Sequence, residues 1–126
     1  VKKINLDKIQ NLNNNFKIYI SPKNIPEIIY KSDLVICGGG YTKIEAAYLA
    51  KPIIPVPIHR HQIELCKRFK KEFGINYVLK SKLGSLLNKK IDSYNYKIRN
   101  NISKIFRKKF SKNGVNRIAD IILNEK

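Results

Sequence analysis

Three consecutive glycines, Gly38, Gly39 and Gly40, lie between an apolar run and a helix carrying Glu45, and His61 and Gln62 follow the next apolar run. Glycines at the entry to a helix expose bare backbone N–H groups, a setting suited to phosphate or pyrophosphate. A tight strand-to-helix turn would explain one or two of them. Each glycine costs roughly 0.5–1 kcal/mol in chain entropy, so three imply the close approach of a bound group. Glu45 can serve the helix dipole alone. Its neighbours Ile44, Ala46, Ala47 and Tyr48 are apolar or small, so the position reads as covered, and a covered carboxylate wants donors such as the paired hydroxyls of a ribose. Gln62 can cap its own helix or offer its amide to sugar hydroxyls, with His61 beside it. The spacing is neither GxGxxG nor a loop ending in GK[ST], so the dinucleotide and P-loop readings both fail.

Positioning these groups requires strands that end where they stand. Phe16, Ile18 and Ile20 alternate with Lys17 and Tyr19 and predict a strand over 16–20. Ser21-Pro22-Lys23-Asn24 breaks it, and Asn24 with Pro26 opens a helix over 25–31 whose apolar face is Ile25, Ile28 and Ile29. A strand over 34–37 runs into the glycines. Thr42 is the expected cap of the next helix, which stops at Lys51-Pro52. Residues 53–56 are apolar throughout, as in a strand covered on both faces, with Pro55 and Pro57 as objections to a long one. A helix over 61–73 has Ile63, Leu65, Cys66 and Phe69 as its buried stripe and Gly74 as its stop. A strand over 75–79 follows, then helices near 83–87, over 92–110 and over 116–123. Residues 1–12 read as weakly helical. This alternation predicts an α/β fold, a Rossmann-like parallel sheet flanked by helices, with the glycine loop, residues 21–24 and residues 58–62 all at the carboxyl ends of strands, where ligands bind.

The chain has 126 residues, enough for one domain, and no apolar run long enough to cross a bilayer. It opens on Val1 without Met, and we read it as a fragment, the C-terminal half of a longer protein. Cys37 and Cys66 read as free buried thiols in a cytoplasmic protein. The His59-Arg60-His61 triplet has too few ligands for a closed metal site, so neither metal nor cofactor is expected. The formal charge of +17 is the feature most in need of a cause. Its lysines are scattered and not interleaved with aromatic residues, which argues against nucleic acid as the partner. Drift toward lysine in a Lys-, Asn- and Ile-rich composition explains the excess better. Peripheral association with an anionic membrane, at its inner face, comes second.

GGGYTKIE, followed by Lys51-Pro52 and His61-Gln62, resembles the C-terminal domain of GT-B glycosyltransferases of family 28. The distances from Glu45 to Pro52 and on to Gln62 are similar to those of the UDP-sugar hydrolase of pseudaminic acid biosynthesis and its spore-coat polysaccharide relatives. NIPEIIYKSDLVI is similar to the helix and strand before the glycine loop in that branch. The resemblance implies that one domain over 1–126 is the C-terminal half of a GT-B fold that binds a UDP-sugar. It further implies that backbone at Gly39, Gly40, Tyr41 and Thr42 holds the diphosphate and that Glu45 holds the ribose. Ile25 and the strand end from Val56 to Ile58 would meet uracil, and His61 with Gln62 would reach the sugar. His61 stands where the hydrolase branch usually has Asn. The catalytic residue is expected in an N-terminal domain or partner subunit, with His61 as the one candidate here, so this chain alone would be inactive. Two rivals remain: a non-enzymatic basic module for nucleic acid or anionic membrane, and a free-standing subunit of a split glycosyltransferase.

Overall fold

A computed structural model describes residue 15, residues 17–111 and residues 113–124. The expected helix over 1–12 and residue Phe16 lie outside them.

Helix α1 (Ile25–Lys31) starts at Asn24, whose carbonyl accepts from Glu27 and Ile28 at 3.1 and 3.2 Å. Asn24 gives no side-chain cap; its amide donates instead to Glu27 Oε2 at 3.2 Å. Of the expected apolar face only Ile29 is buried, and Ile25 is exposed. Strand β1 (Val35–Gly38) leads through Gly39 and Gly40 into α2 (Thr42–Tyr48), and β2 (Ile53–Val56) returns parallel to β1 with Val35 opposite Ile53 and Gly38 opposite Val56. Ala46 and Ala47 are wholly buried, their small side chains letting α2 lie close to the sheet. Between them, α2 and β2 close with Ala50 at φ 56°. Lys51 N–H bonds to Ala46 O and Ala50 N–H to Ala47 O, both at 2.9 Å, a Schellman ending with alanine in the place that favours glycine.

All four residues of β2 are buried, as a central strand requires, yet the sheet among the described residues has two strands. The expected strand over 75–79 is a correction: that segment runs beside β2 with a single backbone bond, Val78 N–H to Pro55 O at 2.9 Å. A strand residue points its N–H and C=O to the same side, so the donor Pro55 lacks is the one that would have extended this outer ladder. The expected strand over 16–20 is likewise absent from residues 17–20, where Tyr19 and Ile20 are exposed and pair with no strand among the described residues.

Helix α3 (Arg60–Phe73) ends at Gly74, whose φ of 72° is the left-handed stop read from the sequence. It buries Cys66, Phe69 and Phe73, whereas Leu65, expected in the same stripe, is exposed. A short 3-10 turn (Lys80–Lys82) precedes α4 (Leu83–Ser93) and α5 (Tyr96–Lys109). The helix expected over 92–110 is thus broken after Ser93: Tyr94 is buried with its hydroxyl donating to Ile53 O at 3.0 Å, and Asn95 caps α5 by accepting from Ile98 N–H at 3.0 Å. Phe69, Phe73, Phe106 and Phe110 stack into one aromatic cluster with centroids 4.6–6.3 Å apart, joining α3 to α5. The last helix, α6 (Gly114–Asn124), keeps Val115, Ile118, Ile121, Ile122 and Leu123 exposed.

Candidate functional site

β1 and β2 both end at the same edge, so the glycine loop and residues 58–62 sit side by side there. Gly39 is where they touch. A Cβ on Gly39 would lie 2.9 Å from both Cys66 Sγ and Gln62 Cβ and 3.1 Å from Pro57 Cα. Internal packing thus accounts for Gly39 without any ligand. Gly40 differs: a Cβ there meets only Gln62 Nε2, at 3.5 Å. Neither residue has a positive φ, so turn geometry does not call for glycine at either place.

Thr42 does not cap α2. Tyr41 does so through its backbone, its carbonyl accepting from Ile44 at 2.7 Å and Glu45 at 3.1 Å. Tyr41 keeps helical dihedrals, so the chain enters the helix one residue earlier than a side-chain cap would allow. Among the described residues, the amides of Gly40, Tyr41 and Thr42 donate to no protein group. The loop carbonyls are taken instead. Lys43, only 4% exposed, sends Nζ to Gly39 O at 2.6 Å and Gly40 O at 3.0 Å and stands 5.8 Å over the Phe69 ring. The loop therefore has a fixed cation behind it and free N–H groups in front. Reading the sequence missed Lys43; the available signal was a lysine four residues after Gly39, one helical turn away.

Gln62 is partly committed. Its Oε1 accepts from Ile58 N–H at 2.8 Å, which pins the loop of residues 58–62. A backbone donor fixes the orientation of the amide, so Nε2 faces Gly40. His61 is exposed and its ring stacks on His59, 5.8 Å between centroids. Ile58 is exposed at the loop tip, and Val56 is buried in β2.

Two cavities lie on either side of α2, the first of them bordering the turn. One, of about 580 Å³, is lined by Gly40, Tyr41, Lys43, His61 and Gln62, with Leu65 and Arg68 from α3. The other, of about 740 Å³, is lined by Ile25, Glu45 and Tyr48 together with Lys23. Ile44 lines both. The residues read from the sequence thus fall into two groups on either side of α2, while Gly39, Thr42 and Ile58 line neither. Glu45 is exposed, contrary to the covered position expected, because Ile44 and Tyr48 beside it are exposed too. Its carboxylate makes no hydrogen bond or ion pair among the described residues.

Cys37 and Cys66 are free, as expected, but only Cys66 is buried; Cys37 is half-buried. Burial pushes the Cys37 thiol up to about 11 and the Cys66 thiol up as well, with Lys43 opposing both. They are neutral packing groups at the back of the loop and not nucleophiles.

Residues 1–121 match the sequence model described as the Glycosyltransferase family 28 C-terminal domain. No curated protein and no solved structure matches the chain.

Proposed function

Because the chain belongs to the glycosyltransferase family 28 C-terminal domain, we propose that it binds the UDP-sugar donor of an enzyme that breaks the bond between the anomeric carbon and the diphosphate. The observation that carries this reading is the open glycine turn at the start of α2 with a cavity on either side of that helix, Glu45 in one and Gln62 in the other. A nucleotide-sugar laid across the turn places uracil and ribose against Ile25 and Glu45, its diphosphate at the amides of Gly40, Tyr41 and Thr42, and its sugar at His61 and Gln62. Glu45 has both carboxylate oxygens available for the two ribose hydroxyls. As the bond breaks, negative charge grows on the departing UDP. Preorganised N–H donors and the Lys43 cation behind them favour that charge, the electrostatic mode of catalysis. Transfer to a sugar makes the whole enzyme a glycosyltransferase, and transfer to water makes it a UDP-sugar hydrolase. Either fits bacterial surface-glycan synthesis, with the acceptor side supplied by an N-terminal domain or partner subunit.

Calorimetric titration with UDP tests this reading. Binding is expected, and Glu45→Ala should weaken it about tenfold, the loss of a charge-assisted pair of hydrogen bonds. Absence of heat with UDP and with other nucleoside diphosphates would overturn it. So would affinity for unrelated RNA or DNA that falls steeply with salt and is indifferent to Glu45, the behaviour of a basic module.

A further inference from the structure

The opposite edge of the sheet carries a second polar cavity, of about 520 Å³, where the chain enters β1 and β2. It is lined by Asp33 before β1, by Lys51 before β2, and by Arg99, Ser103 and Arg107 along one face of α5. A four-residue strand, roughly 13 Å, separates it from the glycine turn. None of its three cations is in an ion pair among the described residues. Arg99 is half-buried, and its Nε is shielded from solvent without a hydrogen-bond partner. Burying a guanidinium N–H without a partner is unfavourable, so Arg99 is held in this wall at a cost to the fold. Lys51 Nζ is held 4.9 Å over the Tyr30 ring at the mouth of the same cavity. Ala50, the left-handed residue, turns the chain here and lines it as well.

We propose that this cavity binds a phosphomonoester. Such a group carries close to two negative charges at neutral pH and three acceptor oxygens. Arg99 can offer it the planar guanidinium fork of its two Nη groups, with Lys51 and Arg107 completing the charge. Asp33 remains to accept from a hydroxyl on the attached body, as a sugar phosphate would supply. The site is independent of the donor reading at the other edge. A soluble sugar phosphate and the headgroup of phosphatidate share this chemistry.

Backbone amide resonances of the full chain, titrated with inorganic phosphate and with glucose 6-phosphate, provide the test. Saturable shifts are expected at Asp33, Lys51 and Arg99. Lys51→Gln and Arg107→Gln should each weaken binding about tenfold while leaving the melting temperature and the UDP titration unchanged. Arg99→Lys, which keeps the charge and loses the planar fork, should weaken it as well. Shifts confined to residues 40–45, or affinity in the two glutamine variants unchanged from that of the unsubstituted chain, would overturn the proposal. Sedimentation with phosphatidylcholine vesicles that requires added phosphatidate, and is lost in Lys51→Gln, assigns the ligand to lipid. Binding of glucose 6-phosphate without such sedimentation assigns it to a soluble metabolite. Failure at this edge leaves the donor reading untouched, because that reading stands on the UDP titration.

Discussion

Adjacent glycines in the loop have different reasons to be glycine, and substitution separates them. Gly39→Ala drives a methyl into Cys66, Gln62 and the Pro57 backbone, and should cost about 1–3 kcal/mol of stability, read from denaturant unfolding. Gly40→Ala meets one amide nitrogen at ordinary contact distance, so folding should be unaffected or improved by up to about 1 kcal/mol. Its methyl nevertheless stands where the proposed diphosphate would lie, and UDP affinity should fall at least about tenfold by loss of close backbone approach. Retained UDP affinity in Gly40→Ala would remove the loop from the site. The turn between β1 and α2 and its closeness to Gln62 were legible in the sequence because loop geometry is local, whereas the packing reason for Gly39 and the exposure of Glu45 were not. Lys43 and Arg99 were not. Each is a lysine or arginine in a chain that holds 26 of them, and only the packing around it distinguishes it from the rest.

At the scale of elements, the helix from Ile25 to Lys31, the strand from Ile53 to Val56 and the stop at Gly74 agree with their sequence signals. Proline and a left-handed glycine act within a few residues of where they are written, whereas neither Asn24 nor Thr42 gives the side-chain cap expected of it. Strand pairing does not. Residues 75–79 have strand-like composition, but whether they join a ladder depends on Pro55 some twenty residues earlier, and that dependence is invisible in any local window. Tyr94 similarly breaks a continuous helical period by reaching Ile53 O, a contact across 41 residues. The Schellman ending of α2 gives an element-scale prediction. Alanine in the left-handed region costs about 1–2 kcal/mol, and glycine gives back roughly 0.5–1 kcal/mol of that in chain entropy. Ala50→Gly should therefore stabilise the domain by about 0.5–1 kcal/mol, a rise in Tm of about 2–4 °C. A fall in Tm would mean that the alanine methyl packs more favourably than its backbone strain costs.

Over the whole molecule, 26 basic side chains face 9 acidic ones, and the three ion pairs present among the described residues are all between exposed groups. Exposed pairs contribute little, whereas self-repulsion at +17 acts over the entire surface. Raising sodium chloride from about 0.02 to about 0.2 M shortens the screening length severalfold and should raise Tm. A lower Tm in salt would show that the ion pairs outweigh the repulsion. That charge is not spread evenly over the elements. Helix α6 has Arg117 and Asp120 among its eleven residues, and its exposed Val115, Ile118, Ile121, Ile122 and Leu123 form a greasy ridge on an otherwise cationic body. Salt screens the charge that keeps chains apart but leaves that ridge untouched, so added salt should favour self-association through it.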